Sequence, residues 1–514
     1  MTVAPLPSSV PVTIRVRHLP EVRDTDDLVW FRPALDRVRT LPNDADRRRR
    51  TFFSSDAPIF VARAPGRLDV MGGIADYSGA RVLELPLACT TSVVLQAHVP
   101  PRVDIATRRE SHWRHFSLDL PPVVDPRGEL GTPAALAGWF AAHAHDRWAG
   151  YVIGMLQLMA QRAARDGRPA PPGYRILVDS TVPAGRGVAS SAALEVAAGA
   201  VLAAACGDDM SATELAASCQ SVENHVVGAP CGIMDQMTSA CGRRDRLLQL
   251  RCQPGTIEGY LRIPDGFRVY GIDSGISHAV SGADYGTVRT AAFMGYRMIA
   301  AAAGLPAVRE GARVQVGDTR WGGYLANLTL EEYTTLGRDL PEELPGEEFL
   351  RRYDGITDSA TVVQSGRRYP VRRATEHPVG EQARVDRFTE LLNALAERPL
   401  PRTAEELGQL MYESHRSYGA CGLGSHGTDR LVELVAARGP ERGLFGAKIT
   451  GGGSGGTVAV LGTSAAEPVV REIAERYREE TGHRASVFTG SGPGAAETGV
   501  LRLNPRELVT AAAV

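Results

Sequence analysis

Apolar positions along the chain change period repeatedly, alternating between the short runs of buried strands and the longer stripes of amphipathic helices. From Pro58 onward the segments Ile59-Phe60-Val61-Ala62-Arg63-Ala64-Pro65, ARVLELPL (80–87) and TSVVLQAHV (91–99) read as strands. A helix is predicted from Gly150 to Ala164 (GYVIGMLQLMAQRAA), then a strand at Tyr174-Arg175-Ile176-Leu177-Val178. Ala192 to Cys206 is alanine-rich with few β-branched residues, a strong helix former. Another helix, opened by an acidic first turn, is predicted from Thr213 to about Val227. After the strand-like FRVYGIDSGI (267–276), a helix over Arg289 to Ala303 begins the second half. Leu305 to Gly380 is rich in Gly, Pro and charge and reads as a long insertion of poor periodicity. Helices return at Glu405 to Tyr418, Asp429 to Ala437 and Ala466 to Thr481. This pattern predicts an α+β fold: an N-terminal extension (1–56), an N-terminal domain (57–282) and a C-terminal domain (283–514), with the site in the cleft between the two.

Composition narrows the classes. The 514 residues are 43% hydrophobic and 23% charged, enough for a sizeable core in two domains. A formal net charge of -2 gives no global field toward nucleic acid or a membrane surface, and neither is expected as a partner. The basic run Arg47 to Arg50 lies between acidic neighbours and reads as a solvated face or extension. Seven cysteines without CxxC spacing fit a reducing, cytoplasmic compartment, and the N-terminus has no apolar core of a signal peptide. Of the 57 basic side chains only Lys448 is a lysine. That position either needs a compact, flexible ammonium or holds an incidental strand-end lysine.

The candidate chemistry starts at Val182-Pro183-Ala184-Gly185-Arg186-Gly187-Val188-Ala189-Ser190-Ser191, which leads from a strand into the alanine-rich helix. Its glycines let backbone N–H groups approach an anion, the helix adds unpaired N–H groups, and the serines supply hydroxyls for a phosphate oxygen or metal ion. The competing reading is a tight turn whose serines cap the helix. No GxxxxGK[ST] occurs, and the GxGxxG match at Gly451, Gly453 and Gly456 is followed by the strand-like Thr457 to Leu461 where a dinucleotide site needs a helix. That run reads as a turn joining two strands and letting a ligand approach.

Three segments occur in order: Arg63-Ala64-Pro65-Gly66-Arg67-Leu68-Asp69-Val70-Met71-Gly72, PAGRGVASSA and KITGGGSGG. Together they resemble the galactokinase, homoserine kinase, mevalonate kinase and phosphomevalonate kinase (GHMP) superfamily over about residues 57 to 500. Within it the chain is most similar to the L-arabinokinases, through GGIADYSG, VENHVVGAPCGIMDQMTSACG, DSGISHAVSGADYG, ACGLGSHGTDRL and GAKITGGGSGGTVAV. The plant enzymes' further glycosyltransferase-like region is expected to be absent.

The resemblance implies the two-domain GHMP fold, ATP as co-substrate, Mg2+, and a sugar 1-kinase acting on L-arabinose. Its alternatives are a kinase for galactose, a uronic acid or a heptose, and a non-catalytic sensor of sugar and ATP. It places Asp235 and Arg67 at the reacting hydroxyl, with Asp235 either taking the proton or orienting the hydroxyl. Pro183, Gly185, Arg186, Gly187, Val188, Ala189, Ser190 and Ser191, with Lys448, Gly452 and Gly453, would bind ATP. The metal would lie on Ser190 or Ser191 and on Glu223, which without the resemblance reads as a helix-surface carboxylate. Gly73, Ile74, Asp76, Tyr77, Gly232 and Tyr285 would bind the sugar. Galactokinases carry Glu-His where this chain has Gly73-Ile74, a pair that lies toward the hydroxymethyl group, which L-arabinose lacks.

Overall fold

The structure is a computed structural model and describes residues 13–18, 29–40, 52–54, 56–109, 112–277, 283–311 and 313–504. Most of the expected N-terminal extension, including Arg47 to Arg50, lies outside these residues, as do positions 278–282 of the DSGISHAVSGADYG string.

Nine strands form the larger sheet. Its spine is Ile59–Met71 against Arg81–His98, antiparallel, with register shifts at Pro65/Arg67 and Asp69/Met71. These shifts carry the strand through the APGR segment, where the sequence pattern predicted its end. All 13 residues of Ile59–Met71 are buried, because helices cover one face and the second half of the molecule packs on part of the other. Arg81–His98 pairs through its first residues with Arg246–Arg251 and through its last with Gly173–Ser180, so the sheet forks along this strand.

The helices Gly150–Arg165, Ser190–Ala205 and Ala212–Val222 cover one face and bury its apolar residues. Small residues allow close contact: a Cβ on Gly199 would stand 2.6 Å from the Leu215 side chain. Ser211 and Glu214 form a capping box at the start of Ala212–Val222, as the acidic first turn suggested. The helix does not run regularly to Val227; Glu223–Val227 is a π-helical turn, a local widening frequent at functional sites.

The second sheet has four antiparallel strands in the order Leu444–Ile449, Thr457–Thr463, Phe267–Asp273 and Ser486–Phe488. Helices His426–Arg438 and Glu467–Thr481 pack on it. The sheets do not follow the expected division at residue 282. Phe267–Asp273 joins the second sheet, and Val500–Leu503 returns to the first, between Val16–His18 and Ile59–Met71.

The segment 305–380 is ordered rather than a loop. It holds the hairpin Ala307–Glu310/Arg313–Val316, the pair Leu344–Pro345/Arg368–Tyr369, and helices Leu330–Leu336 and Gly346–Tyr353. Its end opens the 27-residue helix Val371–Glu397, whose interior Pro378 is a break signal that this helix overrides.

Candidate active site

The phosphate-type loop turns through three left-handed residues, Gly185 (φ +70°), Gly187 (φ +68°) and Ala189 (φ +58°), into Ser190–Ala205. Ala189 occupies the cap position, and no side chain accepts a hydrogen bond from the first turn. The serines therefore do not cap their helix. Its first N–H groups remain open to a ligand in the cleft, the arrangement an anion requires. A left-handed alanine is costly and persists only where its surroundings fix it.

Two neighbours fix the loop. Arg67 donates its backbone N–H to the Val188 carbonyl (3.1 Å) and its Nη1 to the Gly187 carbonyl (2.7 Å). On the other side the glycine turn between Leu444–Ile449 and Thr457–Thr463 presses against it. A Cβ on Gly451 would lie 2.8 Å from the Gly187 carbonyl oxygen, and Thr457 Oγ1 donates to the Arg186 carbonyl at 2.8 Å. The two glycine-rich segments are thus packed backbone to backbone.

A cleft opens over this junction. Gly185, Gly187, Ala189, Ser190, Ser191 and Glu223 line it together with Arg67, Asp76, Gly232, Asp235, Tyr285 and Gly452. Asp235 stands in the first turn of Met234–Cys241 and accepts from Arg67 Nε (2.9 Å) and Nη2 (2.6 Å) through one oxygen. Burial opposes the charge on Arg67, but Asp235, Glu84 and Asp69 outweigh it and raise its pKa. One fixed cation therefore joins the phosphate loop to the carboxylate at the reacting end.

Asp76 occupies a 3-10 turn after Ile59–Met71. It comes so close to Gly232 that a Cβ there would lie 1.6 Å from its Oδ2, while its buried Oδ1 has no protein partner. Burial, and then the charge of Asp235, push Asp76 up to about 6 against the pull of Arg289. Glu223 is buried too, so the helix-surface reading does not hold. It accepts from Gln236 Nε2 (2.6 Å), Cys231 Sγ (3.4 Å) and the Ser191 hydroxyl, and burial lifts it to about 7.

Several expected site residues stand elsewhere. Lys448 does not face the phosphate side: it is fully buried, its Nζ 2.6 Å from Asp69 Oδ2 and 5.1 Å from the Tyr418 ring centroid. Gly73 and Ile74 do not line the cleft. A Cβ on Gly73 would lie 1.8 Å from the Tyr418 hydroxyl and 2.1 Å from Asp69 Oδ2, and its carbonyl meets His377 Nε2 at 3.0 Å. Ile74, a β-branched residue at φ +51°, is packed in the apolar cluster of Tyr77 and Tyr285, where it shapes the turn that presents Asp76. Tyr77 contacts Tyr285 edge to face (5.9 Å) from behind the cleft. Pro183, Arg186, Val188 and Gly453 support the two loops without lining the cleft.

Residues that sequence reasoning missed complete the site. Glu84 gives Arg67 a second carboxylate at 3.3 Å. Glu195, buried on the first helix turns after the loop, faces the Gln236 amide that also serves Glu223 (3.4 Å). Arg289 reaches the Cys231 carbonyl (2.8 Å) beside Gly232. A buried acid in an apolar helix, such as Glu195, was the only signal available for these.

Known proteins resemble this chain in the same regions. GHMP kinases N terminal domain matches residues 150–243, GHMP kinases C terminal matches 391–479, and the Galactokinase galactose-binding signature matches 49–97. An L-arabinokinase of Arabidopsis thaliana is 40% identical over 504 residues, covering 88% of this chain and 48% of that protein, so the chain spans about half its length. The fold is similar to a Lactococcus lactis galactokinase complexed with galactose (TM-score 0.64, 19% identity, 90% of this chain and 99% of that one). It is also similar to a Lin0012 protein from Listeria innocua (TM-score 0.51, 11% identity, 86% and 99% covered).

Proposed function

The chain belongs to the GHMP kinase family, and from that premise we propose that it is an ATP-dependent sugar 1-kinase converting L-arabinose to L-arabinose 1-phosphate. The observation that carries this reading is the single cleft in which an open helix N-terminus and its loop stand beside Asp235, Arg67 and the unpartnered Asp76. The loop and helix hold the ATP phosphates. Asp76 and Tyr285 hold sugar hydroxyls, so that the anomeric hydroxyl meets Asp235 in line with the γ-phosphorus. The hydroxyl oxygen forms the new P–O bond, the bond to the β-phosphate oxygen breaks to release ADP, and the hydroxyl proton passes to Asp235. Arg67 stays charged throughout and favours the oxyanion that develops.

Ser190, Ser191 and Glu223 fit a magnesium ion: all three present hard oxygen atoms to the cleft. Among the described residues no group of three or more His, Cys, Asp or Glu could hold a metal by itself, which suits an ion shared with phosphates and water. Bound there, it would neutralise charge on the phosphates. Glu223→Gln is expected to raise the magnesium concentration needed for half-maximal rate while sugar affinity without nucleotide, measured calorimetrically, stays the same. An unaltered magnesium requirement would remove Glu223 from this role.

Asp76 makes sugar binding pH-dependent. Its ionised form accepts sugar hydroxyls, and protonation as pH falls through about 6 turns one oxygen into a donor and weakens that acceptance. The KM for sugar, measured with magnesium and ATP saturating, should therefore be lowest above pH 6 and rise as pH falls through 6. Asp76→Asn should abolish the slope and weaken binding across the range; a slope that survives would assign it to another group.

The smaller sugar is favoured because the space beside Gly73 is filled by Tyr418 and Asp69, leaving no room for the polar pair of galactokinases. Galactose would bring a hydroxymethyl group without a partner, a penalty of about 1–3 kcal/mol, so L-arabinose should be preferred roughly tenfold or more. Sugar-dependent ADP release across free pentoses, hexoses, heptoses and uronic acids, with 31P NMR of the product, tests the reading. Equal kcat/KM for galactose sinks the arabinose assignment, and no sugar-dependent turnover sinks the kinase.

A further inference from the structure

Beneath Arg67 lies a pair of buried acids that the reaction itself does not touch. Glu84 and Asp69 stand directly opposite each other where Arg81–His98 pairs antiparallel with Ile59–Met71. Opposed residues project to the same face of a sheet with Cβ atoms about 4.5–5.5 Å apart, so the two carboxyl groups face each other. Both side chains are fully buried. Three of their four carboxyl oxygens, Glu84 Oε1 and Oε2 and Asp69 Oδ1, receive no hydrogen bond. The fourth, Asp69 Oδ2, accepts from Lys448 Nζ (2.6 Å) and the Tyr418 hydroxyl (3.2 Å).

Arg67 does not relieve Glu84. Its Nε lies 3.3 Å from Glu84 Oε2, but the one hydrogen on that nitrogen goes to Asp235 Oδ1 at 2.9 Å. Two ionised carboxylates facing each other with three bare oxygens would be very costly in a dry interior. One proton between them turns a bare oxygen of Glu84 into a donor and gives Asp69 Oδ1 its hydrogen bond.

Counting charges leads to the same number of protons. The charged groups acting on Glu84 are Arg67 and Asp69 from the partner strand, Asp235 from Met234–Cys241 and Lys448 from Leu444–Ile449. Cys252, which follows Arg246–Arg251, also faces it, and burial keeps that thiol neutral. Two cations thus stand against three acids, and a single proton makes the group neutral. Asp69 has Lys448 and Tyr418, and Asp235 has two donors from Arg67. Glu84 has none, and burial, followed by the charge of Asp69, raises its pKa well above the ordinary value.

We propose that Glu84 holds this proton and donates it to Asp69 Oδ1, and that it is thereby a positioning residue, leaving the charge of Arg67 undivided for Asp235. The consequence for rate rests on the kinase reading above, whereas the shared proton does not. An ionised Glu84 would set a second negative charge against the guanidinium and weaken its hold on the developing oxyanion.

Infrared spectroscopy of the full chain at about pH 8, above the values of Asp76 (about 6) and Glu223 (about 7), tests the proton. The wild type should show the C=O stretch of a buried carboxylic acid that Glu84→Gln lacks; any band from the buried Glu195 cancels in the difference. Asp69→Asn and Asp235→Asn each remove one acid, so Glu84 becomes the anion that the two cations need, and its band should vanish in both. In alkaline solution the wild-type kcat should fall roughly tenfold as the proton leaves, and Glu84→Gln, with no proton to lose, should lack this fall. A spectrum unchanged by Glu84→Gln, or a band that survives in both Asn variants, overturns the shared proton. An equal alkaline fall in Glu84→Gln overturns the positioning role. The band without any sugar-dependent turnover sinks only the kinase reading, and turnover without the band sinks only the shared proton.

Discussion

Asp235→Asn is expected to lower kcat by roughly 10²–10⁴-fold while the dissociation constants for ATP and sugar change little. The amide oxygen can still accept from Arg67 Nε and Nη2, and Glu84 remains 3.3 Å from that guanidinium, so the buried cation keeps partners and the cleft its shape. What the variant loses is a group able to take the hydroxyl proton as the P–O bond forms. Calorimetry for each substrate beside single-turnover rates separates the two effects. Near-wild-type turnover in a folded Asn variant would exclude Asp235 from the reaction.

The second large effect concerns stability. Lys448→Met leaves the Asp69 carboxylate buried and unpaired, and should cost about 3–5 kcal/mol in denaturant unfolding. Adding Asp69→Asn should recover a large part of this, because the amide still accepts from Tyr418 and no net charge is left inside. The KM for ATP in whatever remains folded should be close to wild type. A lysine at the phosphates would give the reverse: normal unfolding and a raised KM for ATP.

Lys448 shows where sequence reasoning stops. Its rarity and its place before the glycine turn were visible, but its partner is 379 positions away, and no local period encodes which buried acid a strand-end ammonium will meet. The phosphate loop was legible because its chemistry is local: left-handed turns, small residues and a helix start lie within ten positions. Asp76, Asp235, Glu223 and Arg67 could be placed together only through ordered motifs. Gly73 and Ile74 were misjudged for the opposite reason: their positions match a sugar-binding pair, yet Tyr418, from a distant helix, fills the space that pair would need. The segment 305–380 hid its order because its first elements are too short to show a period, and Pro378 masked the long helix that follows.

The return of Val500–Leu503 to the first sheet bears on how the chain is made. Ile59, Phe60 and Val61, in the strand that carries Arg67, pair with Leu503, Arg502 and Leu501, residues the ribosome supplies only after the whole second half has emerged. Until then the first sheet has an open apolar edge in the nascent chain, a template for wrong pairing. Rapid completion of the chain, or a chaperone over that edge, would lessen this exposure, and a release shortly before residue 500 yields a chain with every cleft-lining side chain and an unfinished sheet.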